Sequence, residues 1–187
     1  MNSDYRKELL ETLIRECYVE REVTLASGKK SNYYLDCRRA MFLPRAAFLA
    51  GELMLEMAVG AGVEQIGGMA AAAIPVTDAI LAAAYRHNVT MRGFFVRKEA
   101  KTHGMGKQIE GAFQSGLKTA VLDDTITTGG STIDALKAVR ESGAIVIAAL
   151  FLVDRQEGGA EAFAREGLSI QSVYKGQELQ RAAKELA

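Results

Sequence analysis

Residues 121–132 read VLDDTITTGGST, an apolar run followed by two adjacent carboxylates and then by hydroxyls and glycines. The apolar spacing of Ile133, Leu136 and Val139 marks a helix directly after it. Thr127, Thr128, Gly129, Gly130 and Ser131 therefore join a strand to a helix N-terminus. Glycines let the backbone wrap tightly and expose successive N–H groups, the hydroxyls add donors, and the helix dipole adds partial positive charge. That combination is a phosphate cradle. Asp123 and Asp124 do not favour a phosphate beside them. They suit sugar hydroxyls, a developing cation, or a Mg²⁺ ion held through water. Carboxylates plus a cradle describe a ribose 5-phosphate site. An ordinary capped helix explains a single Ser or Asp but not the whole string. Other phosphate motifs fail: Gly106-Lys107 is followed by Gln108 with no glycine at 101, and Gly104-x-Gly106 meets Ile109.

The elements that must position this stretch are legible from periodicity. Leu9, Leu10, Leu13, Ile14 and Cys17 recur at helical spacing. Val23 to Leu25 and Tyr33 to Leu35 favour strands around a Ser27-Gly28 turn. Pro44 suits the first turn of a helix carrying Phe48, Leu49, Leu53 and Met57 and ending near Gly60. Gln65–Met69 reads as a strand, Pro75 to Arg86 as a helix, Thr90–Val96 and Lys118–Leu122 as strands. Gly143 closes the helix of Ile133, Leu136 and Val139, and IVIAALFLV is a strand apolar on both faces. Strands alternating with helices imply an α/β fold with a parallel sheet, whose ligands bind beyond the carboxyl ends of the strands. Arg97, Asp123-Asp124 and Asp154-Arg155 all fall at such ends.

Composition narrows the class. The 187 residues suffice for one domain with a substantial core, and 49% hydrophobic content excludes a disordered chain. Lys+Arg and Asp+Glu are both 23, which argues against a broadly basic nucleic-acid surface. Cys17 and Cys37 lack C-x-x-C spacing and read as reduced, semi-buried thiols. The charged N-terminus is no signal peptide, and the apolar run Ala144 to Val153 is too short for a membrane span. A cytoplasmic protein with no membrane or nucleic-acid partner is the expectation.

VLDDTITTGGS resembles the phosphoribosyl-pyrophosphate (PRPP) signature of type I phosphoribosyltransferases. Three further stretches narrow the likeness to the orotate phosphoribosyltransferase family: VTLASGKKSNYYLDCR (23–38), VRKEAKTHGMGKQIEG (96–111) and VDRQEGG (153–159). The resemblance implies a central, mostly parallel sheet flanked by helices, with a small N-terminal hood. It implies one domain over 1–187, with helix and hood in 1–40 and the PRPP-binding core in 60–175. It also implies Mg²⁺ as cofactor, orotate and PRPP as substrates, and a homodimer whose catalytic loop reaches the neighbouring subunit's site.

Residue by residue, the resemblance implies PRPP binding by Arg97, Lys98, Lys101, His103, Asp123, Asp124, Thr125, Ile126, Thr127, Thr128, Gly129, Gly130 and Ser131. Lys101, His103, Asp123 and Asp124 carry catalysis, and Thr127, Arg155, Tyr34 and Leu35 face orotate. The residues agree with this assignment. Arg97, Lys98, Lys101, His103 and Lys107 form a cationic cluster beside Gly104 and Gly106; alone it is a solvated basic loop, but beside a ribose-phosphate cradle it suits a leaving pyrophosphate. Arg155 equally suits a salt bridge to a neighbouring carboxylate, and Tyr33 suits core packing. No direct protein ligand to the metal is implied; Mg²⁺ comes with PRPP, with Asp123 and Asp124 reaching it through water. The chain departs from the family pattern at Ala26 and at Ala71-Ala72, where lysine is frequent. Thr102 stands where Asp is common, and Asp123 where Glu is common. Another type I phosphoribosyltransferase acting on a purine or uracil, or a PRPP-sensing regulator without catalysis, are the alternative readings.

Overall fold

A computed structural model describes residues 2–24, 30–99 and 108–186, and its elements follow the alternation of the sequence. Helix α1 (Ser3–Cys17) turns Leu9, Leu13 and Cys17 inward, and the Asn2 side chain accepts from the amides of Asp4 and Tyr5 at its start. Strands β1 (Tyr18–Thr24) and β2 (Lys30–Leu35) pair antiparallel as a separate two-stranded hood. The first strand thus begins at Tyr18 and not at Val23. Two helices follow, the short α2 (Cys37–Met41) and the longer α3 (Pro44–Gly60).

The main sheet then builds up in strand–helix steps. They are β3 (Gln65–Met69), α4 (Ala73–Arg86), β4 (Arg92–Val96), β5 (Ile109–Gly111), β6 (Lys118–Ile126), α5 (Gly130–Glu141) and β7 (Ile145–Asp154). They end with α6 (Gly159–Arg165), β8 (Ile170–Lys175) and α7 (Gly176–Leu186). α4 starts ahead of Pro75, which leaves the proline inside the first turn, where its missing N–H breaks no helical bond. The strand order is β5-β4-β3-β6-β7-β8, parallel throughout except for the antiparallel edge strand β5.

β3 and most of β6 and β7 bury both faces, whereas β4 buries Phe94 and Val96 and leaves Phe95 half-buried. Ala120 and Leu122 join the larger core with α1–α4 and α7, whereas Val121 packs with Leu136 of α5, Phe151 and Phe163 of α6 on the other side. A fully buried Leu or Phe contributes about 1.5–3 kcal/mol, so this two-sided burial fixes the register of the strands. Register opens the functional crevice. β3 pairs with β6 only from Gln65↔Thr119 to Gly67↔Val121, while β6 continues beside β7 as far as Ile126↔Asp154. Beyond Val121 the strand β6 has a neighbour on one side only. β3 leads to β4 on one flank while β6 lies on its other flank, so this gap is the switch point of the sheet, where ligands of α/β folds bind.

Candidate active site

Strand β6 extends past Leu122 to Ile126 and carries both carboxylates inside it. Asp is a poor strand former, which is why the sequence suggests an earlier end. Pairing with β7 (Asp123↔Phe151, Thr125↔Val153) overrides that preference. Strand alternation sends the two acids to opposite faces. Asp123 turns toward α5: its Oδ1 accepts from the Asp124 amide at 2.9 Å and its Oδ2 from the Thr132 hydroxyl at 3.4 Å. Asp124 turns toward α2, where the charges of Arg38 and Asp36 act on it. Both are buried, at 7% and 8% exposure.

Burial raises the pKa of Asp123 well above the carboxylate range, and the charge of Asp124 raises it further. Burial likewise raises Asp124, against the opposing pull of its hydrogen bonds and of Arg38. The pair titrates as a unit that resists holding two negative charges. Sugar hydroxyls or a nearby cation would favour the doubly ionised form.

Next comes the cradle. Gly129 sits in the left-handed region with φ 84°, a turn that glycine enters at no steric cost, and α5 starts immediately after it. α5 has neither a side-chain cap nor an acid in its first turn. Its first N–H groups are therefore available to an anion. A Cβ placed on Gly130 would meet nothing within 4 Å, so the space beside its Cα is open. Thr128 and Ser131 are exposed beside it, and Thr127 is half-buried.

A cleft of about 340 Å³ runs from the cradle across the gap between β3 and β6. Its walls bring Asp123, Ser131 and Lys98 together with Arg38, Phe42, Met69 to Ala72 and Pro75. The Ala70-Ala71 peptide on this wall is cis. Arg97 stands at the foot of the basic loop: its amide donates to the Gln108 carbonyl at 2.9 Å, and the Gln108 amide donates back at 3.1 Å. Its guanidinium lies 3.5 Å from Glu110. Lys101, Thr102, His103, Gly104, Gly106 and Lys107 lie outside the described residues, as does Ala26.

Of the residues expected to face orotate, Thr127 lies in the cradle, while Arg155, Tyr34 and Leu35 lie outside the walls of this cleft. Arg155 is 7% exposed and is not a wall of this cleft. Its Nε lies 2.9 Å from Glu157 Oε1, and its guanidinium lies 4.5 Å from the centre of the Tyr33 ring. Tyr33 is in the core, stacked on Tyr18 with ring centres 5.2 Å apart. Leu35 is also buried in the core, and Tyr34 is half-buried with the Arg21 guanidinium 5.2 Å from its ring centre. The Arg155 amide donates to Ile126 O at 3.0 Å, which ties the end of β7 to the cradle. The salt-bridge reading of Arg155 is therefore realised, by Glu157. Arg38, Phe42 and Thr132 are the wall and support residues that the sequence pattern did not single out. Their one signal is an arginine directly after Asp36-Cys37, at the start of a short helix.

The chain is 43% identical over 183 residues to the orotate phosphoribosyltransferase of Rhodopirellula baltica, covering 92% of this chain and 95% of that one. It is 42% identical over 173 residues to the orotate phosphoribosyltransferase of Corynebacterium glutamicum, covering 92% of each. The crystal structure of Mycobacterium tuberculosis orotate phosphoribosyltransferase in complex with PRPP superimposes with a TM-score of 0.80 at 37% identity, over 94% of this chain and 99% of that one. No family model matches the chain. No described helix is long and apolar enough to cross a membrane.

Proposed function

Because the chain belongs to the orotate phosphoribosyltransferase family, we propose that the gap between β3 and β6 is where it performs that family's reaction. The enzyme transfers the ribose 5-phosphate of PRPP to orotate, giving orotidine 5′-monophosphate and pyrophosphate in pyrimidine biosynthesis. The observation that carries the site assignment is the buried Asp123–Asp124 pair beside an uncapped helix N-terminus at the switch point of the sheet.

In this reading Thr125 to Ser131 hold the 5-phosphate through backbone N–H groups and hydroxyls, and the aspartates hold the ribose hydroxyls. As the bond from the anomeric carbon to pyrophosphate lengthens, positive charge grows on the ring. The carboxylates, resisting ionisation in the empty site, then gain a partner for their charge. Lys98, Arg97, Lys101 and His103 neutralise the departing pyrophosphate. Thr127, Arg155, Tyr34 and Leu35 face orotate, with the Arg155 guanidinium matched to its carboxylate. Closure of the 96–111 loop keeps water from the activated sugar.

Mg²⁺ fits the donor set. Two adjacent buried carboxylates, compensated only in part by Arg38 and the Thr132 hydroxyl, would be stabilised by it. It would arrive with PRPP, held through water by Asp123 and Asp124, and would supply charge neutralisation on the phosphate oxygens. The chain would work as one domain over 1–187, in the cytoplasm, as a homodimer.

The direct test is loss of orotate absorbance with PRPP and Mg²⁺, run beside adenine, hypoxanthine and uracil. Consumption of a base other than orotate would overturn the specificity. Shared sites are tested separately with Lys101→Ala and Asp124→Ala. Mixed after unfolding, two inactive parents should recover about a quarter of wild-type activity, because two-fold symmetry puts both defects in one site of each mixed dimer. Activity remaining at the parental level, with subunit exchange confirmed by mass, would place Lys101 in its own chain's site.

A further inference from the structure

Arg38 occupies the wall of the cleft that faces Met69 to Ala72, Lys98, Asp123 and Ser131. It is the second residue of the short helix α2, and Asp36 holds it from both oxygens, Nε to Oδ1 at 2.8 Å and Nη2 to Oδ2 at 3.0 Å. A fork held in this way has a fixed plane. Among the described residues, two of its five N–H groups are used by Asp36, and the fork geometry suits a further acceptor. The pair is no buried strut, since the Arg38 side chain is 58% exposed. The wall beside it is Ala70, Ala71 and Ala72, with no side-chain donor. Among the described residues that line the cleft, Lys98 and Arg38 are the only cations.

We propose that Arg38, aimed by Asp36, is a binding residue for the diphosphate group of PRPP and of the pyrophosphate product. This rests on the reading of the cleft as the PRPP site and goes beyond it, since none of the motif resemblances assigns Arg38 a role. The argument is one of allocation. The 5-phosphate belongs to the cradle around Gly130 and the ribose diol to Asp123 and Asp124. The diphosphate leaves the ring at the other end of the sugar, toward the part of the cleft walled by alanines. A polyanion there draws on Lys98 and, in the proposed reading, on Arg97, Lys101 and His103. Among the described residues of the cleft wall Arg38 is the further cation, in a bidentate form suited to phosphoryl oxygens. Its position on the face toward which Asp124 turns also lets it shield that carboxylate from the diphosphate.

Calorimetric titration of the full-length enzyme with Mg²⁺ and PRPP, inorganic pyrophosphate or ribose 5-phosphate, in the wild type, Arg38→Gln and Arg38→Lys, tests this. Arg38→Gln should weaken pyrophosphate and PRPP roughly ten- to a hundredfold, the usual effect of losing charge-assisted hydrogen bonds. Ribose 5-phosphate affinity and the KM for orotate should stay within about twofold, and Arg38→Lys should recover part of the loss. Unchanged pyrophosphate affinity in Arg38→Gln overturns the proposal. So does an equal loss for pyrophosphate and ribose 5-phosphate, which would mark a general distortion of the site. Asp36→Asn provides an independent check: loosening the fork should weaken pyrophosphate in the same direction by a smaller factor. If the wild type itself binds neither PRPP nor pyrophosphate, the reading of the cleft fails, and that outcome is distinct from either variant result.

Discussion

Two neighbouring crossings in this protein use the same backbone device for different ends. After β6 the chain runs through Thr127-Thr128 to Gly129-Gly130 and enters α5; after β7 it runs through Arg155-Gln156-Glu157 to Gly158-Gly159 and enters α6. In each, the first glycine is left-handed, with φ 84° at Gly129 and 103° at Gly158, and helix begins at the second. The side chains differ. The β6 crossing offers hydroxyls, an open approach to Gly130 and no acid in the first helical turn. The β7 crossing carries Glu161 in its first helical turn and keeps its arginine in an ion pair with Glu157. A Gly-Gly turn into a helix is therefore not by itself an anion site. In the proposed reading, what would make one is the absence of an acid in the first helical turn and the open space beside the second glycine.

The largest effect should come from the acid pair that only β6 carries, of which Asp123 lines the cleft. Asp124→Asn is expected to lower kcat by about 10²–10³-fold with a much smaller change in the KM for PRPP, since its charge acts on the developing cation. Stability should respond in the opposite sense. Both aspartates have folded-state pKa values above their unfolded ones, so the folded protein binds the extra protons. The pair's own contribution is then fully present at acid pH and is lost as pH rises through the raised values. Asp36 and Glu52, held low by their cationic partners, contribute in the opposite sense. Asp124→Asn removes part of this loss, so thermal melts of the unliganded enzyme at pH 5 and pH 8 should differ less for the variant than for the wild type. Near-normal turnover would show that the pair binds the sugar without stabilising charge.

The second break concerns the β7 crossing. Arg155→Ala should raise the KM for orotate roughly ten- to a hundredfold and leave that for PRPP almost unchanged, the effect of about 1.5–3 kcal/mol for a lost charge-assisted pair. A stability loss with an unchanged KM would instead make Arg155 a clamp between Glu157 and Tyr33, and the crossing purely architectural.

These crossings also show what the sequence could convey. The apolar runs of β3, β4, β6 and β7 and the helical spacing of α1, α3 and α5 locate the sheet and its carboxyl edge, because burial imposes period on those residues. The string DDTITTGGS points to the proposed cradle, since an ordinary capped helix does not account for all of it. Legibility fails where tertiary pairing decides. Asp123 and Asp124 sit inside β6 because β7 supplies the ladder, and no local preference records that. α6 has seven residues and β5 three, too short for a period to emerge. α7 and β8 leave a weak pattern as well, since few of their apolar side chains are fully buried: Leu179 and Ala183 in one, Val173 and Tyr174 in the other. Arg38 reaches the cleft only through the turn from the hood into α2, a three-dimensional fact.

The smallest and sharpest test exchanges the roles of the second glycines. A Cβ on Gly130 would touch no protein atom within 4 Å, whereas on Gly159 it would run into Ile126 and lie 2.8 Å from the Thr127 carbonyl. Neither residue needs a left-handed backbone, so steric space alone separates them. Gly130→Ala should fold as well as the wild type, or slightly better through reduced freedom of the unfolded chain. Its methyl group stands where the phosphate must approach the N–H, so the KM for PRPP should rise by about tenfold, the equivalent of one weakened contact of about 1.4 kcal/mol. Gly159→Ala should do the reverse: a loss of about 1–3 kcal/mol of stability from overpacking against Ile126. Its KM for PRPP should change less than that of Gly130→Ala, because the strain falls on the outer side of the cradle. Chemical denaturation and initial rates on the two variants give both numbers. If Gly130→Ala binds PRPP as the wild type does, the open space beside that Cα is not where the phosphate sits, and the cradle must be sought nearer Thr127 and Thr128. If Gly159→Ala loses PRPP affinity as strongly as Gly130→Ala, the two crossings are mechanically one unit and the division between them fails.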